Sequence, residues 1–316
     1  LSRKFAAGGW QLAAGRWLQG AAKRKNYYLR FSSLFGNQIS SNFAPLFETC
    51  MRKNRGIFQR TELLFGKEKM EEIARKKVII FGIGGVGSWC AESLIRSGIG
   101  FLTIVDSDRI CITNVNRQLH ATMLTIGEVK TDALKKRLLE INPEAEITAI
   151  QKIYNIDNHD QFDLDSYDYI IDAIDSLGSK VDLIRMATRT KAVFFSSMGA
   201  SLKLDPMQIR VAEFWKVKGC PLGSKIRKYI RKGELPAKPF MCIYSEELLE
   251  NRGSGSSCGT EQCLCPKAKS GVGDPELDDH EWCSQKAVIN GTVTHITAIY
   301  GFTLAGLVIQ HIYNLS

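Results

Sequence analysis

Six consecutive residues, Gly82, Ile83, Gly84, Gly85, Val86 and Gly87, constrain this chain more than any others. They form a GxGxxG sequence directly after an apolar run, KVIIF at 77–81, and directly before a helical pattern at 88–97. Glycines at those positions permit a tight strand-to-helix turn and a close approach of backbone to phosphate, and the following helix N-terminus favours negative charge. The same turn also serves plain strand–helix packing. Downstream, apolar strand patterns at 101–106, 147–153, 167–172 and 192–195 alternate with helical patterns at 127–141 and 180–190. Such alternation predicts an α/β fold, Rossmann-like, with a mainly parallel sheet. Upstream, 61–74 reads as an amphipathic helical region interrupted at Gly66. After Gly199 the rhythm becomes mixed α/β: a half-exposed strand at 209–215, a basic helix at 225–232, a Gly-, Ser-, Cys- and Asp-rich loop at about 251–281, and helical texture at 287–315. The expected division is a basic extension at 1–50, a nucleotide-binding region at 51–200 and a C-terminal substrate or dimer region at 201–316.

Charge separates the extension from the body. The 316 residues carry a net charge of +9, yet residues 1–47 hold seven of the 42 Lys and Arg and none of the 33 Asp and Glu. The remainder, at 35 basic against 33 acidic residues, is nearly neutral, so a nucleic-acid partner cannot be argued from overall charge. The tail reads as a disordered extension or as a mitochondrial-type presequence, which is basic and acid-poor; scattered cysteines without a secretory pattern indicate a reducing compartment, the cytoplasm in the first case. No run of eighteen apolar residues occurs, and the apolar stretch at 298–312 contains Thr303, Gln310 and His311. It reads as a packed C-terminal helix rather than a membrane insertion.

The residues after the glycine turn carry more chemistry than hydride transfer needs. Asp106 ends the second strand, where a carboxylate accepts ribose hydroxyls. Asp108, Asn114, Arg117, Gln118 and Lys130 follow. Nucleotidyl transfer requires cations for a polyphosphate and carboxylates for magnesium. A P-loop is absent. Asp175 lies just beyond the 167–172 strand, where open α/β sheets place their sites, and Asp172 is a second choice of acid.

Several segments together resemble one superfamily: FGIGGVGSW at 81–89, GIG at 98–100, Asp106 with Asp108, NVNRQLH at 114–120, GEVK at 127–130, INP at 141–143, IDAIDS at 171–176 with Lys180, DPMQI at 205–209 and CIYSE at 242–246. The chain is similar, over roughly residues 53–316, to the adenylating enzymes that include ubiquitin-activating enzymes and bacterial activators of sulfur-carrier proteins. Trp89 and the Asp205–Pro206 context point to the branch of tRNA threonylcarbamoyladenosine dehydratases. The resemblance implies ATP at Gly82, Gly84, Gly85, Gly87 and Asp106, and Asn114, Arg117, Gln118 and Lys130 around its phosphates. It implies magnesium or the adenylation centre at Asp175, with Arg117 and Lys130 bearing charge on the α-phosphoryl group. The implied reaction adenylates the threonylcarbamoyl carboxylate in tRNA and closes a ring with loss of AMP, in a homodimer. Arg60, or Arg55, is the candidate to enter a neighbouring subunit's site.

Three alternatives stand beside it: activation of a sulfur-carrier or ubiquitin-like C-terminus, with a sulfur-relay protein as partner; a noncatalytic nucleotide-binding scaffold; and, more remotely, an NAD-dependent oxidoreductase. A ubiquitin-type activating enzyme would also need a nucleophilic cysteine, for which Cys242 is the best single candidate. Nine cysteines are present, with no CxxC pair. Cys258, Cys263, Cys265 and Cys283 have poor zinc spacing, and free thiols are the default reading. Residues 216–238 contain eight Lys or Arg against only Glu234, a composition suited to a phosphate backbone or to a solvated face.

Overall fold

The computed structural model describes residues 56–253 and 290–315. The basic extension, Arg55, the four cysteines between 258 and 283 and most of the 251–281 loop lie outside the described residues. Two short helices, α1 (Gln59–Phe65) and α2 (Lys67–Arg75), lead in, broken at Gly66 as the sequence predicts. Then come β1 (Lys77–Phe81), α3 (Gly87–Arg96), β2 (Phe101–Val105), α4 (Lys130–Ile141), β3 (Glu146–Ile150), β4 (Tyr169–Asp172), α5 (Leu177–Arg189) and β5 (Val193–Ser197). The chain continues through β6 (Ile209–Glu213), α6 (Pro221–Arg231), β7 (Met241–Ser245) and α7 (Thr294–Asn314).

The seven strands form one sheet in the order β3-β2-β1-β4-β5-β7-β6. All neighbours are parallel except the edge pair β6–β7. β1 is buried from Val78 to Phe81 and β4 along its whole length, as parallel strands covered on both faces require. One face packs α2, α3, α4 and α7 onto Val78, Ile80, Leu102, Ile104 and Ile171. The other packs α5 and α6 onto Ile79, Phe81, Ile170 and Phe194. The sheet runs across residue 200, since β5 pairs with β7 at Ser196 and Cys242. Strand β7 went unread as a strand in the sequence. The 21-residue α7 has a mean hydropathy of 1.4 over its most apolar window, long and apolar enough to cross a membrane. In the fold its Ile296, Tyr300, Leu304, Val308 and Ile312, four residues apart, are buried in the core.

The order places a topological switch point at the carboxyl ends of β1 and β4, because the chain winds outward through β2 and β3 and then returns to β4 and β5. Open α/β sheets bind ligands in that crevice. Glycine is required there by space. Gly82 has φ +81°, and a Cβ on it would sit 2.7 Å from the Ala173 carbonyl oxygen beyond β4. A Cβ on Gly87 would sit 1.9 Å from the Gly82 carbonyl oxygen. Because that obstacle is backbone, Gly87→Ala will lower stability by about 2 kcal/mol or more. Gly178→Ala in α5, where nothing lies within 4 Å, will leave it unchanged or raise it by up to about 1 kcal/mol. Urea unfolding checks the pair; equal effects would show that the turn can relax.

Candidate active site

The glycine turn is held from three sides. Asp106, one residue past β2, accepts from the Ile83 N–H at 2.9 Å through Oδ2 and from the Asp108 N–H at 3.0 Å through Oδ1. Ser88 Oγ donates to the Gly84 carbonyl at 2.6 Å and accepts from the Leu119 N–H at 3.2 Å, joining the turn to the 114–120 loop. From the far side α7 approaches: a Cβ on Gly85 would meet the Thr297 side chain at 3.1 Å. Helix α3 then begins with no side-chain cap at Val86 and no acidic residue in its first turn. Its first N–H groups therefore carry the partial positive charge that suits an anion.

Lys130 is the electrostatic centre. Segments 108–110 and 127–130 pair across the Arg109–Val129 bridge, with the Lys130 N–H donating to the Asp108 carbonyl at 3.1 Å, and this sets Lys130 at the first residue of α4. A cation at a helix N-terminus opposes the dipole, and it is also buried, 4% exposed. Carboxylates offset both costs: Nζ lies 2.6 Å from Asp108 Oδ2 and 3.6 Å from Asp106 Oδ1. Burial alone would pull the ammonium down, but Asp106, Asp108 and more weakly Asp175 outweigh it and hold Lys130 well above its ordinary value. A charged lysine held by acids beside a glycine turn at the switch point is a candidate functional group.

The other expected residues fall around this centre, though not all point to it. Asp175 is exposed in the loop between β4 and α5, and its charge reaches Lys130. Gln118 is buried, with its amide nitrogen facing Gly84 and its Oε1 without a partner among the described residues. Asn114 is buried and shapes the loop, accepting from the Cys111 N–H at 2.9 Å. Arg117 lies along its own loop, Nη1 donating to the Thr113 carbonyl at 2.6 Å and to Asn116 Oδ1 at 3.0 Å, while Trp89 Nε1 donates to its carbonyl at 3.0 Å. Arg60, on α1, lines a groove of about 540 Å³ with Leu64, Ser93, Phe302 and Tyr313, away from the glycine turn.

The roles of two groups could not be read from sequence. Asp172, the second-choice acid, is fully buried and spent on structure. Its Oδ2 lies 2.7 Å from Lys180 Nζ and accepts from Ser196 Oγ at 2.6 Å, and its Oδ1 accepts from the Ile174 N–H at 3.0 Å. Lys180 also donates to the Ile174 carbonyl at 2.9 Å, so this pair fixes the loop that carries Asp175. The eight-residue spacing from Asp172 to Lys180 was a signal, but only the turn between them brings the two together. Cys242, in β7, is also fully buried, and burial pushes its thiol well up against the opposing pull of Lys180. A thiol so placed is a poor nucleophile.

His120 is the second. It is 3% exposed, and neither ring nitrogen has a hydrogen-bond partner among the described residues. Burial, and next the Lys130 charge, push its pKa down to about 3. Unfolded histidine titrates near 6.5, so between the two values only the unfolded chain takes the proton, and the native state loses stability as pH falls below about 6.5. His120→Asn will therefore remove about 2 kcal/mol of the stability difference between pH 7 and pH 5. Urea unfolding of both proteins at the two pH values measures it; parallel pH dependence would contradict the buried, neutral imidazole.

Comparison with known proteins gives the family of the chain. The ThiF family model matches residues 58–313. The tRNA threonylcarbamoyladenosine dehydratase of Bacillus subtilis (strain 168) is 40% identical over 214 residues, 67% of this chain and 84% of that protein. The Escherichia coli (strain K12) protein of the same name is 34% identical over 257 residues, 78% of this chain and 90% of that one. A crystal structure of the E. coli tRNA N6-threonylcarbamoyladenosine dehydratase in complex with ATP superposes with a TM-score of 0.67 at 30% identity, covering 82% of this chain and 94% of the other. With its seven-stranded sheet, glycine turn and buried lysine, this chain belongs to the ThiF family and, within it, to the tRNA threonylcarbamoyladenosine dehydratases.

Proposed function

We propose that this enzyme uses ATP to close a ring in the N6-threonylcarbamoyl group of adenosine in tRNA. The observation that carries the reading is Lys130, buried between Asp106 and Asp108 beside the glycine turn at the switch point. The site suits the nucleotide. A side chain on Gly84 would meet nothing nearer than Gln118 Nε2 at 3.6 Å, so the turn is open to an approaching phosphate, and Gln118 Oε1 is a buried acceptor without a partner among the described residues. ATP, when bound, supplies an adenylyl group that makes the threonylcarbamoyl carboxylate reactive, with pyrophosphate and then AMP leaving.

The protein's own residues divide the remaining work. The α3 N-terminus and the glycine turn would hold the anion, and Asp106, which fixes the turn, would take the ribose hydroxyls. Lys130 opposes the charge that accumulates at phosphorus. Arg117 joins it by leaving the Thr113 carbonyl and Asn116. Among the described residues no group of three or more His, Cys, Asp or Glu side chains is placed to hold a metal. Magnesium, however, commonly takes one or two protein carboxylates, with phosphates and waters completing its shell, and the exposed Asp175 suits that role. Ring closure joins two parts of one side chain, so positioning supplies much of the acceleration. No covalent carrier is needed, and among the described residues Cys242 is too deeply buried to serve a ubiquitin-type acyl transfer. The Arg60 groove, with Leu64 73% and Phe302 46% exposed, is our candidate contact for a homodimer.

The test is mass analysis of nucleosides from threonylcarbamoylated tRNA incubated with enzyme, ATP and magnesium. The wild type will yield the ring-closed nucleoside, lighter by the mass of one water. Asp175→Ala, at an exposed loop position, will fold and yet slow single-turnover ring closure at least about a hundredfold, about 2.7 kcal/mol. A near-normal rate in that variant would remove Asp175 from the site.

A further inference from the structure

Helix α6 presents a face that neither the fold nor the nucleotide site uses. Gly223, Ile226 and Ile230 are its buried residues. Lys225, Lys228, Arg231 and Lys232 are exposed, and at 100° per residue they occupy one continuous strip opposite the buried side. None of these four cations has an ion-pair partner among the described residues. The one acid in 216–238, Glu234, is engaged by Arg189. Like charges three and four residues apart cost a helix a few tenths of a kcal/mol each. The dipole rewards Lys228 and Arg231 in the last turn, but not Lys225. Two aromatic rings lie among the charges: Tyr229 is 57% exposed, and Trp215 is 40% exposed with the Arg231 guanidinium 5.5 Å from its centroid.

The strip begins at the level of the site. A Cβ on Gly199, two residues past β5, would meet Leu222 at 3.7 Å, and one on Gly219 would meet Glu246, just past β7, at 2.8 Å. Hence the N-terminus of α6 stands at the carboxyl ends of the strands, the same end as the glycine turn. Glu213 pairs with Met241 at the opposite end, so Trp215 and Arg231 lie away from the mouth. The helix is about 16 Å long. From β1 to β7 the sheet spans three spacings, about 14 Å. Arg231 and Lys232 lie a further helix length from the mouth, beyond the reach of a single nucleoside bound there but within that of a folded polynucleotide.

We propose that the exposed face of α6 docks the phosphate backbone of the RNA whose adenosine enters the site, with Lys225, Lys228, Arg231 and Lys232 on phosphates and Trp215 and Tyr229 offering rings for stacking. This rests on the reading that the substrate is tRNA. Phosphate contacts position a nucleic acid without reading its sequence, and neutralising each one lowers the salt dependence of binding by about 0.7 to 0.9 in log–log slope.

The test compares two full-length double variants that remove equal charge: K228Q/K232Q on α6, and K135Q/K136Q on α4, across the sheet. Binding of tRNA is measured by fluorescence anisotropy between about 50 and 200 mM salt, and KM and kcat for ring closure on modified tRNA in parallel. The α6 variant will raise the tRNA Kd and KM about tenfold near 0.15 M salt and lower the slope by about 1.5, with kcat within about twofold; the α4 variant will change neither by more than about twofold. Equal effects of the two variants, or none from α6, would overturn the proposal. So would a K228Q/K232Q protein that binds tRNA normally but no longer binds anionic phospholipid vesicles, since that would assign the face to a membrane. If the wild type makes no ring-closed nucleoside while tRNA affinity still depends on α6, the functional reading fails and the docking face stands.

Discussion

The burial of Lys130 between two carboxylates is the interaction on which the rest of the site depends. An ammonium taken from water at the wrong end of a helix is costly, and it is retained only because Asp106 and Asp108 face it. The same Asp106 accepts the Ile83 N–H, so one carboxylate couples the cation to the glycine turn. A change in the charge of this pair therefore moves the backbone that receives phosphate. Asp108 completes the link through its own carbonyl, which holds the first turn of α4 in place.

A second buried pair lies across the switch point. Asp172 and Lys180, each fully buried, sit between β4 and α5 and satisfy one another together with Ser196 and the Ile174 backbone. Removing one partner of such a pair commonly costs 3–5 kcal/mol, roughly, because the other charge is left uncompensated. The first pair positions the turn after β1 and the second positions the loop after β4. The crevice between them is thus walled by two rigid polar clusters, with Asp175 exposed at its rim. This suits a reaction in which alignment and fixed charge, rather than a covalent carrier, are required.

Much of this was legible in the sequence because the signals were local. The runs at 78–81 and 101–105 are apolar but for Thr103, as in strands buried on both faces, and GxGxxG between a strand and a helix specifies its own geometry. Gly66 broke the leading helix where expected. What escaped were relations between distant residues. Nothing local shows that Asn114 turns inward to the Cys111 N–H, that Asp172 is neutralised by Lys180, or that His120 is stripped of partners. Strand β7 escaped for another reason: MCIYS holds a single β-branched residue, Ile243, and follows a basic helix and a Pro-containing turn. The basic character of 216–238 was plain, whereas its concentration on one side of α6 required the fold.

The central claim is that Asp106 links the buried Lys130 to the nucleotide-binding turn. Calorimetric titration of ATP into the wild type and Asp106→Asn tests it most directly, since the substitution keeps the shape and removes the charge. With far-UV and near-UV dichroism unchanged, the account predicts that Asp106→Asn weakens ATP binding at least about a hundredfold, about 2.7 kcal/mol. Wild-type ATP affinity in a folded Asp106→Asn protein would contradict it.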